Sequence, residues 1–63
     1  MNRNELIETA NEMSFGALSD WIRGNLCAID CERMSFRAMQ YLTWETRELQ
    51  IVHADRVANN ERW

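Results

Sequence analysis

The chain contains 63 residues, of which 46% are apolar, with no proline, two glycines and a formal net charge of −3. This length excludes multidomain enzymes, repeat arrays and folds built on a large sheet, and the apolar content excludes a disordered chain. The scarcity of glycine and proline removes the usual turns of all-β folds, so we expect a single all-α domain of two to three helices.

A first helix is predicted over residues 4–13. Asn2 followed three residues later by Glu5 resembles a capping box, in which side chains satisfy the free N–H groups at a helix start. Apolar residues then recur at helical spacing, namely Leu6, Ile7, Ala10 and Met13.

A second helix is predicted over residues 15–24, with Ser14 as its N-cap. The apolar pattern continues across this boundary, so one kinked helix is an alternative, but we prefer a break near Gly16. Gly24-Asn25 is the strongest stop signal in the chain, because both residues tolerate the left-handed conformation that ends helices. Continuation of the helix to residue 31 is left open.

The longest helix is predicted over residues 36–58, capped by Ser35, with a length of about 34 Å. Placed on a helical wheel at about 100° per residue, it shows a broad apolar face that we expect to pack on the first two helices. The members of this face are Met34, Ala38, Met39, Tyr41, Leu42, Leu49, Val52 and Val57.

A second, narrower surface on this helix is our candidate interaction surface, because Trp, Met and Arg are enriched at protein interfaces. Its members are Trp44, Ile51, Arg37, Arg47 and Gln40. The alternative is that the first helix, or the tail with Trp63, covers this surface.

Small size predicts self-association as a homodimer, since a 60-residue domain buries only about 60% of the surface of its unfolded chain. If two long helices paired antiparallel about an axis between residues 50 and 51, Glu45 would oppose Arg56 of the other copy. Leu49 would then oppose Val52. The alternative is that both charged side chains reach water from the edge of the apolar face.

Few residues carry chemistry. Cys27 and Cys31 lie four apart and could supply two metal ligands, with His53 as a third, but a structural zinc site normally has four, so we favour buried, apolar cysteines. His53 has no recognisable serine or cysteine partner. We therefore expect no metal, no cofactor and no enzymatic activity.

All seven basic residues are arginines, and they are unevenly distributed: residues 1–32 carry a net charge of −4 and residues 33–63 a net charge of +1. One alternative is a helix-turn-helix DNA-binding protein, with Gly24 at the turn and with Arg33, Arg37 and Arg47 near phosphate. The net negative charge of the chain disfavours this alternative. Another alternative is an inhibitor that mimics nucleic acid through the acidic residues Glu5, Glu8, Glu12 and Asp20.

We also expect a cytoplasmic protein without a membrane segment. No run of about 18 apolar residues could span a bilayer, and the polar start of the sequence is unlike a signal peptide. Two cysteines are too few for the disulfide framework of small secreted domains.

Three segments suggest a family: Met1-Asn2-Arg3-Asn4-Glu5-Leu6-Ile7, Trp21-Ile22-Arg23-Gly24-Asn25 and Leu42-Thr43-Trp44-Glu45. In these, and in length and general character over the whole chain, it resembles the small early-region accessory proteins of lambdoid bacteriophages, encoded between the exonuclease and excisionase genes. The resemblance implies a non-enzymatic protein of the bacterial host cytoplasm, made early in infection or induction. Such a protein would act on the host cell cycle or on the choice between lysis and lysogeny. The resemblance transfers no functional residues.

Overall fold

The computed structural model describes residues 1–59, which form three α-helices. These are α1 (Arg3–Glu12), α2 (Phe15–Cys31) and α3 (Phe36–Ala58). The predictions of an all-α fold and of a long last helix are confirmed. None of these helices has a stretch long and apolar enough to cross a membrane.

All three predicted N-caps are used. The side chains of Asn2, Ser14 and Ser35 each accept a hydrogen bond from the backbone N–H three residues later, at 2.9, 3.1 and 3.2 Å. Each cap thereby satisfies one of the four N–H groups that have no partner inside the helix. Asn2 Nδ2 also donates to Glu5 Oε1, at 2.9 Å, which strengthens the start of α1.

The break between α1 and α2 lies at Met13 and Ser14, slightly before the expected position at Gly16. Both residues are extended, with ψ of 156° and 154°, so α1 and α2 are separate helices and not one kinked helix.

The predicted stop at Gly24-Asn25 is wrong, since α2 continues to Cys31. Asn25 is buried and packs in helical register after Leu18 and Ile22. Burial of this face outweighs the penalty of about 1 kcal/mol for a helical glycine. The helix ends where Glu32 adopts a left-handed conformation, with φ of 52°, and donates its N–H to the Ile29 carbonyl.

Inter-helix hydrogen bonds define the topology. Ser19 contacts His53 and Asn25 contacts Glu45, so α2 runs antiparallel to α3. Arg3 contacts Glu48, and Arg56 contacts the carbonyl of Ala10, so α1 runs parallel to α3. Since α1 begins beside Glu48, it lies along the second half of α3 only.

The core consequently surrounds the second half of α3. Its buried apolar members are Leu6, Ala10, Leu18, Ile22, Leu49 and Val52, with Ile7, Trp21 and Trp44 packed partly against them. Of the broad apolar face, Leu49 and Val52 are confirmed as core. Met34, Met39 and Leu42 are only half-buried, and Ala38, Tyr41 and Val57 are exposed. The α1 helix is too short to cover the first half of α3.

The dimensions agree with an incompletely covered helix pair. The radius of gyration is 12.0 Å, against about 10.6 Å for a compact domain of this length. The principal extents are 36 × 22 × 15 Å, and the longest matches the length of α3.

Arg56 attaches the end of α1 to α3. Its Nη1 atom donates to the carbonyl oxygens of Ala10 and Met13, at 3.1 and 2.8 Å. Its guanidinium group also lies 5.8 Å from the centre of the Phe15 ring. A cation is thus held at the negative end of the α1 dipole, where carbonyl groups lack partners within the helix.

Candidate interaction surfaces on the first half of the third helix

The first half of α3 carries two surface depressions on two sides of the helix. One, here called the outer pocket, is lined by Phe36, Met39, Gln40, Thr43, Trp44 and Arg47. The other, here called the inner groove, is lined by Met34, Ser35, Arg37, Ala38, Tyr41 and Leu42. At 100° per residue, the residues at the centre of the outer pocket lie roughly 120° around the helix from Tyr41. The inner groove is open because α1 begins only at the level of Glu48.

The outer pocket is an aromatic and cationic surface. Phe36, the first residue of α3, is 78% exposed, although its side chain is large and apolar. Arg47 is exposed at the other end of the pocket. Trp44 packs partly on the core and also tilts against Tyr41, with 5.6 Å between the ring centres. Trp44 is therefore held by the fold while it lines the pocket.

The inner groove borders a polar network that joins α2 to α3. The buried Asn25 donates from Nδ2 to Glu45 Oε1, at 3.0 Å. The Tyr41 phenol lies one helical turn before Glu45 on the same side of α3. Partial loss of hydration, followed by interaction with the Glu45 carboxylate, raises the pKa of Tyr41 above its usual 10.0. The carboxylate thus lies at the end of the groove between the Asn25 amide and the Tyr41 phenol.

The structure divides the predicted interaction surface. Gln40, Trp44 and Arg47 come together in the outer pocket, whereas Arg37 lines the inner groove. Ile51 is 49% exposed but lines neither depression. Trp44 packs partly on the core, whereas Arg47 and Ile51 remain exposed. Trp63 lies outside the described residues.

Sequence reasoning missed Phe36, Met39 and Thr43 as members of the surface. The spacing of residues 36, 40, 43 and 47 places them on one side of a helix, which is a signal the sequence contains. From the sequence, Phe36 is predicted only as the first residue of the helix over residues 36–58.

The expected pairing of Glu45 with Arg56 between copies would require Arg56 to leave its partners within one chain. Arg56 bonds to the end of α1, whereas Glu45 uses only its Oε1 atom for Asn25. Leu49 and Val52, which that pairing would bring together between copies, lie in the core of a single chain. The same contact between two copies would therefore require this core to open.

His53 has a serine partner that the sequence did not indicate. Its Nε2 atom and Ser19 Oγ share a hydrogen bond of 3.2 Å, and its ring lies 4.5 Å from the Phe15 ring, centre to centre. The ring is half-buried between α2 and α3 and so links the two helices.

The expectation of buried cysteines is wrong. Cys27 and Cys31 are free and exposed, because they lie on the side of α2 opposite its buried residues. His53 contacts Ser19 at the other end of α2, so it does not join them. Within residues 1–59 there is no group of three or more His, Cys, Asp or Glu side chains that could hold a metal ion.

No protein-family model matches this chain, and comparison with curated proteins and with solved structures likewise finds no match.

Proposed function

We propose that this protein is a small, non-enzymatic interaction protein of the cytoplasm that binds another protein through the outer pocket. The observation that carries the proposal is the 78% exposure of Phe36 in a pocket that Trp44 and Arg47 also line, on a well-formed helix. An exposed aromatic group in a pocket that also presents arginine, on a surface already ordered by the fold, is typical of residues that dominate binding energy.

Charge indicates the kind of partner. Arg47 in the outer pocket and Arg33 just before α3 are exposed, and neither forms an ion pair with another side chain of residues 1–59. Glu45 is the single carboxylate between residues 33 and 47, and it is bonded to Asn25. The surface therefore suits a partner segment with apolar anchors flanked by acidic groups.

A protein partner is favoured over DNA. The helix-turn-helix alternative placed its turn at Gly24, which lies inside α2. A net charge of −3 also weakens attraction to a polyanion, since phosphate contacts supply most of such affinity. The resemblance to phage early proteins is compatible with this proposal, and the partner would then be a host or phage regulator.

Site-specific photo-crosslinking tests the proposal. A photoreactive amino acid replaces the exposed Gln40 in the outer pocket or, as a control, the exposed Asp20 on α2. We expect one protein to crosslink in cells at position 40 and not at position 20. Identical adducts from both positions, or none from either, would contradict the proposal.

Binding of the captured protein is then measured with purified variants. Phe36→Ser and Arg47→Glu should each weaken affinity at least about tenfold, as loss of an interface anchor does. The matched controls are Ile51→Ser, an exposed apolar residue outside the pocket, and Arg23→Glu on α2. Helix content is checked for every variant by circular dichroism. Equal weakening by the controls would remove the outer pocket as the binding site.

A gel shift at low salt tests the DNA-binding alternative directly. We expect no shift of duplex DNA at micromolar protein. A shift that is lost when Arg33 and Arg37 are replaced by alanine would favour nucleic-acid binding and overturn the proposal.

A further inference from the structure

The inner groove lies where a third helix is missing from the bundle. Beside the second half of α3, both α1 and α2 pack against the helix, and the core is complete. Beside residues 35–47, α2 is present but α1 is not, since α1 begins at the level of Glu48. The open stretch is about 13 residues, or about 20 Å of helix.

The surface along this stretch is predominantly apolar. Met34, Ala38, Tyr41 and Leu42 line it, and Tyr41 remains 46% exposed. In a chain of 63 residues with only six buried apolar side chains among those described, such a surface adds substantially to what burial could stabilise.

The charges on this stretch would match those of a second copy of α3 that runs in the opposite direction. Arg37 precedes Tyr41 by four residues and Glu45 follows it by four, so all three lie along one side of α3. In an antiparallel pair with its two-fold axis beside Tyr41, each Arg37 faces Glu45 of the other copy. The two ion pairs are equivalent, as a two-fold interface requires.

The same register keeps the outer pockets out of the contact. Residue 38 of one copy lies at the level of residue 44 of the other, but Trp44 lies about 120° around α3 from Ala38, on the side of the outer pocket. Met34 faces Glu48, whose charge is already paired with Arg3 in an ion pair of 3.0 Å. In this register the first residues of α3 in the second copy lie at the level of residues 46–48, where α1 of the first copy begins. The second α3 therefore fills the open stretch without overlapping α1.

We propose that the inner groove binds the inner groove of a second copy of this chain, with α3 antiparallel to α3, Tyr41 beside the two-fold axis and Arg37 paired with Glu45 of the other copy. The contact joins two α2–α3 pairs into a four-helix arrangement and leaves both outer pockets accessible. It is independent of the outer pocket, so either surface can fail its test without affecting the other.

The contact is small, because six residues line the groove in each copy, against about 20–30 residues per side in a standard interface. We therefore expect a reversible dimer with a dissociation constant of about 10 µM to 1 mM, since even interfaces of standard size can be as weak as micromolar. Sedimentation equilibrium of the full chain between these concentrations measures it directly. A chain that remains monomeric at 1 mM overturns the proposal.

Substitution of exposed alanines locates the contact. Ala38→Arg places a charge in the groove, and Ala54→Arg places the same charge on α3 outside it; both alanines are exposed in the single chain. Ala38→Arg should weaken dimerisation at least about tenfold, and Ala54→Arg should leave it within about twofold. Equal effects of the two variants would exclude the inner groove as the interface.

Charge exchange tests the register. Arg37→Glu should weaken the dimer by placing like charges together, and the double variant Arg37→Glu/Glu45→Arg should restore much of it. Because Glu45 also bonds to Asn25, thermal melts confirm that the double variant folds. A folded double variant no better than Arg37→Glu would contradict this pairing.

A disulfide crosslink tests the two-fold axis without depending on charge. In a Cys27→Ser/Cys31→Ser background, Tyr41→Cys should form a dimer under mild oxidation, because the two positions face each other across the axis. Ala54→Cys serves as the control. Crosslinking at position 54 as fast as at position 41 would overturn the proposed arrangement.

Discussion

Removal of the Arg56 guanidinium is the sharpest test of how α1 is held on the bundle. Arg56→Met keeps an unbranched apolar side chain but loses the two hydrogen bonds, at 3.1 and 2.8 Å, to the carbonyls of Ala10 and Met13. It also removes the cation 5.8 Å from the Phe15 ring. The substitution therefore separates the contribution of the charged group from that of the side-chain stem.

The expected loss in the free energy of unfolding is about 1.5–3 kcal/mol. A single hydrogen bond to a charged group contributes about 1.5–3 kcal/mol. Two such bonds do not reach twice this value, because carbonyls at a helix end can be rehydrated when the donor is lost. A domain of 63 residues has a total stability of about 3–9 kcal/mol, so the variant loses a large share of it.

Urea unfolding followed by tryptophan fluorescence and by circular dichroism measures this loss. In thermal unfolding we expect a decrease in the melting temperature of about 6–24 °C, and an intermediate decrease for Arg56→Lys, which keeps the charge without the planar guanidinium. Arg47→Met, at an exposed arginine that forms no ion pair within residues 1–59, is the control. A loss below about 0.5 kcal/mol, or one equal to that of the control, would refute the assigned role of Arg56.

Three further predictions concern single side chains. The absorbance of Tyr41, the only tyrosine, should titrate with a midpoint above pH 10.0, and this midpoint should be lower in Glu45→Gln. The fold favours the neutral phenol over the phenolate. The contribution of Tyr41 to stability is therefore complete below pH 10 and declines as the pH rises through the pKa in the folded state. A midpoint at or below 10.0 would contradict the contact with Glu45. Leu49→Ala, at a fully buried core position, should cost about 2–5 kcal/mol and leave the chain largely unfolded at 37 °C by circular dichroism; a cooperative melt close to that of the native chain would show that the core lies elsewhere. Cys27 and Cys31 should both react with a thiol reagent in the folded protein within a few-fold of the rate of free cysteine, and protection that disappears only in denaturant would contradict their exposure.

Local signals in the sequence predicted the helix starts, because each depends on residues only three apart. Asn2, Ser14 and Ser35 cap the three helices as expected. The helix end predicted at Gly24 was wrong because the true end depends on distant residues. α2 continues where its buried side packs on α3, and local helix propensities do not include the free energy of that packing. The helical period likewise identified the apolar face of α3, but not which part of it is covered.

The candidate surfaces follow from a long-range fact that the sequence does not reveal. Whether the first or the second half of α3 is covered depends on the direction of α1, which the contacts of Arg3 with Glu48 and of Arg56 with Ala10 fix as parallel. The partners of Arg56 and His53 could not be predicted for the same reason, because they lie more than 30 residues away in the chain. A wheel of α3 alone therefore grouped Arg37 with Trp44, although the fold assigns them to different depressions.

The two halves of α3 differ in how far the rest of the chain covers them. Leu49 and Val52 in the second half supply the core, while the first half, which α1 leaves uncovered, carries the outer pocket and the inner groove. Pairing at the groove would add stability by mass action, since a dimer that binds only folded chains shifts the folding equilibrium as its concentration rises. It would also fix two outer pockets in one rigid particle. A partner with two acidic segments at the matching spacing would then bind both pockets with an effective concentration in the millimolar range, so weak individual contacts would give a selective complex.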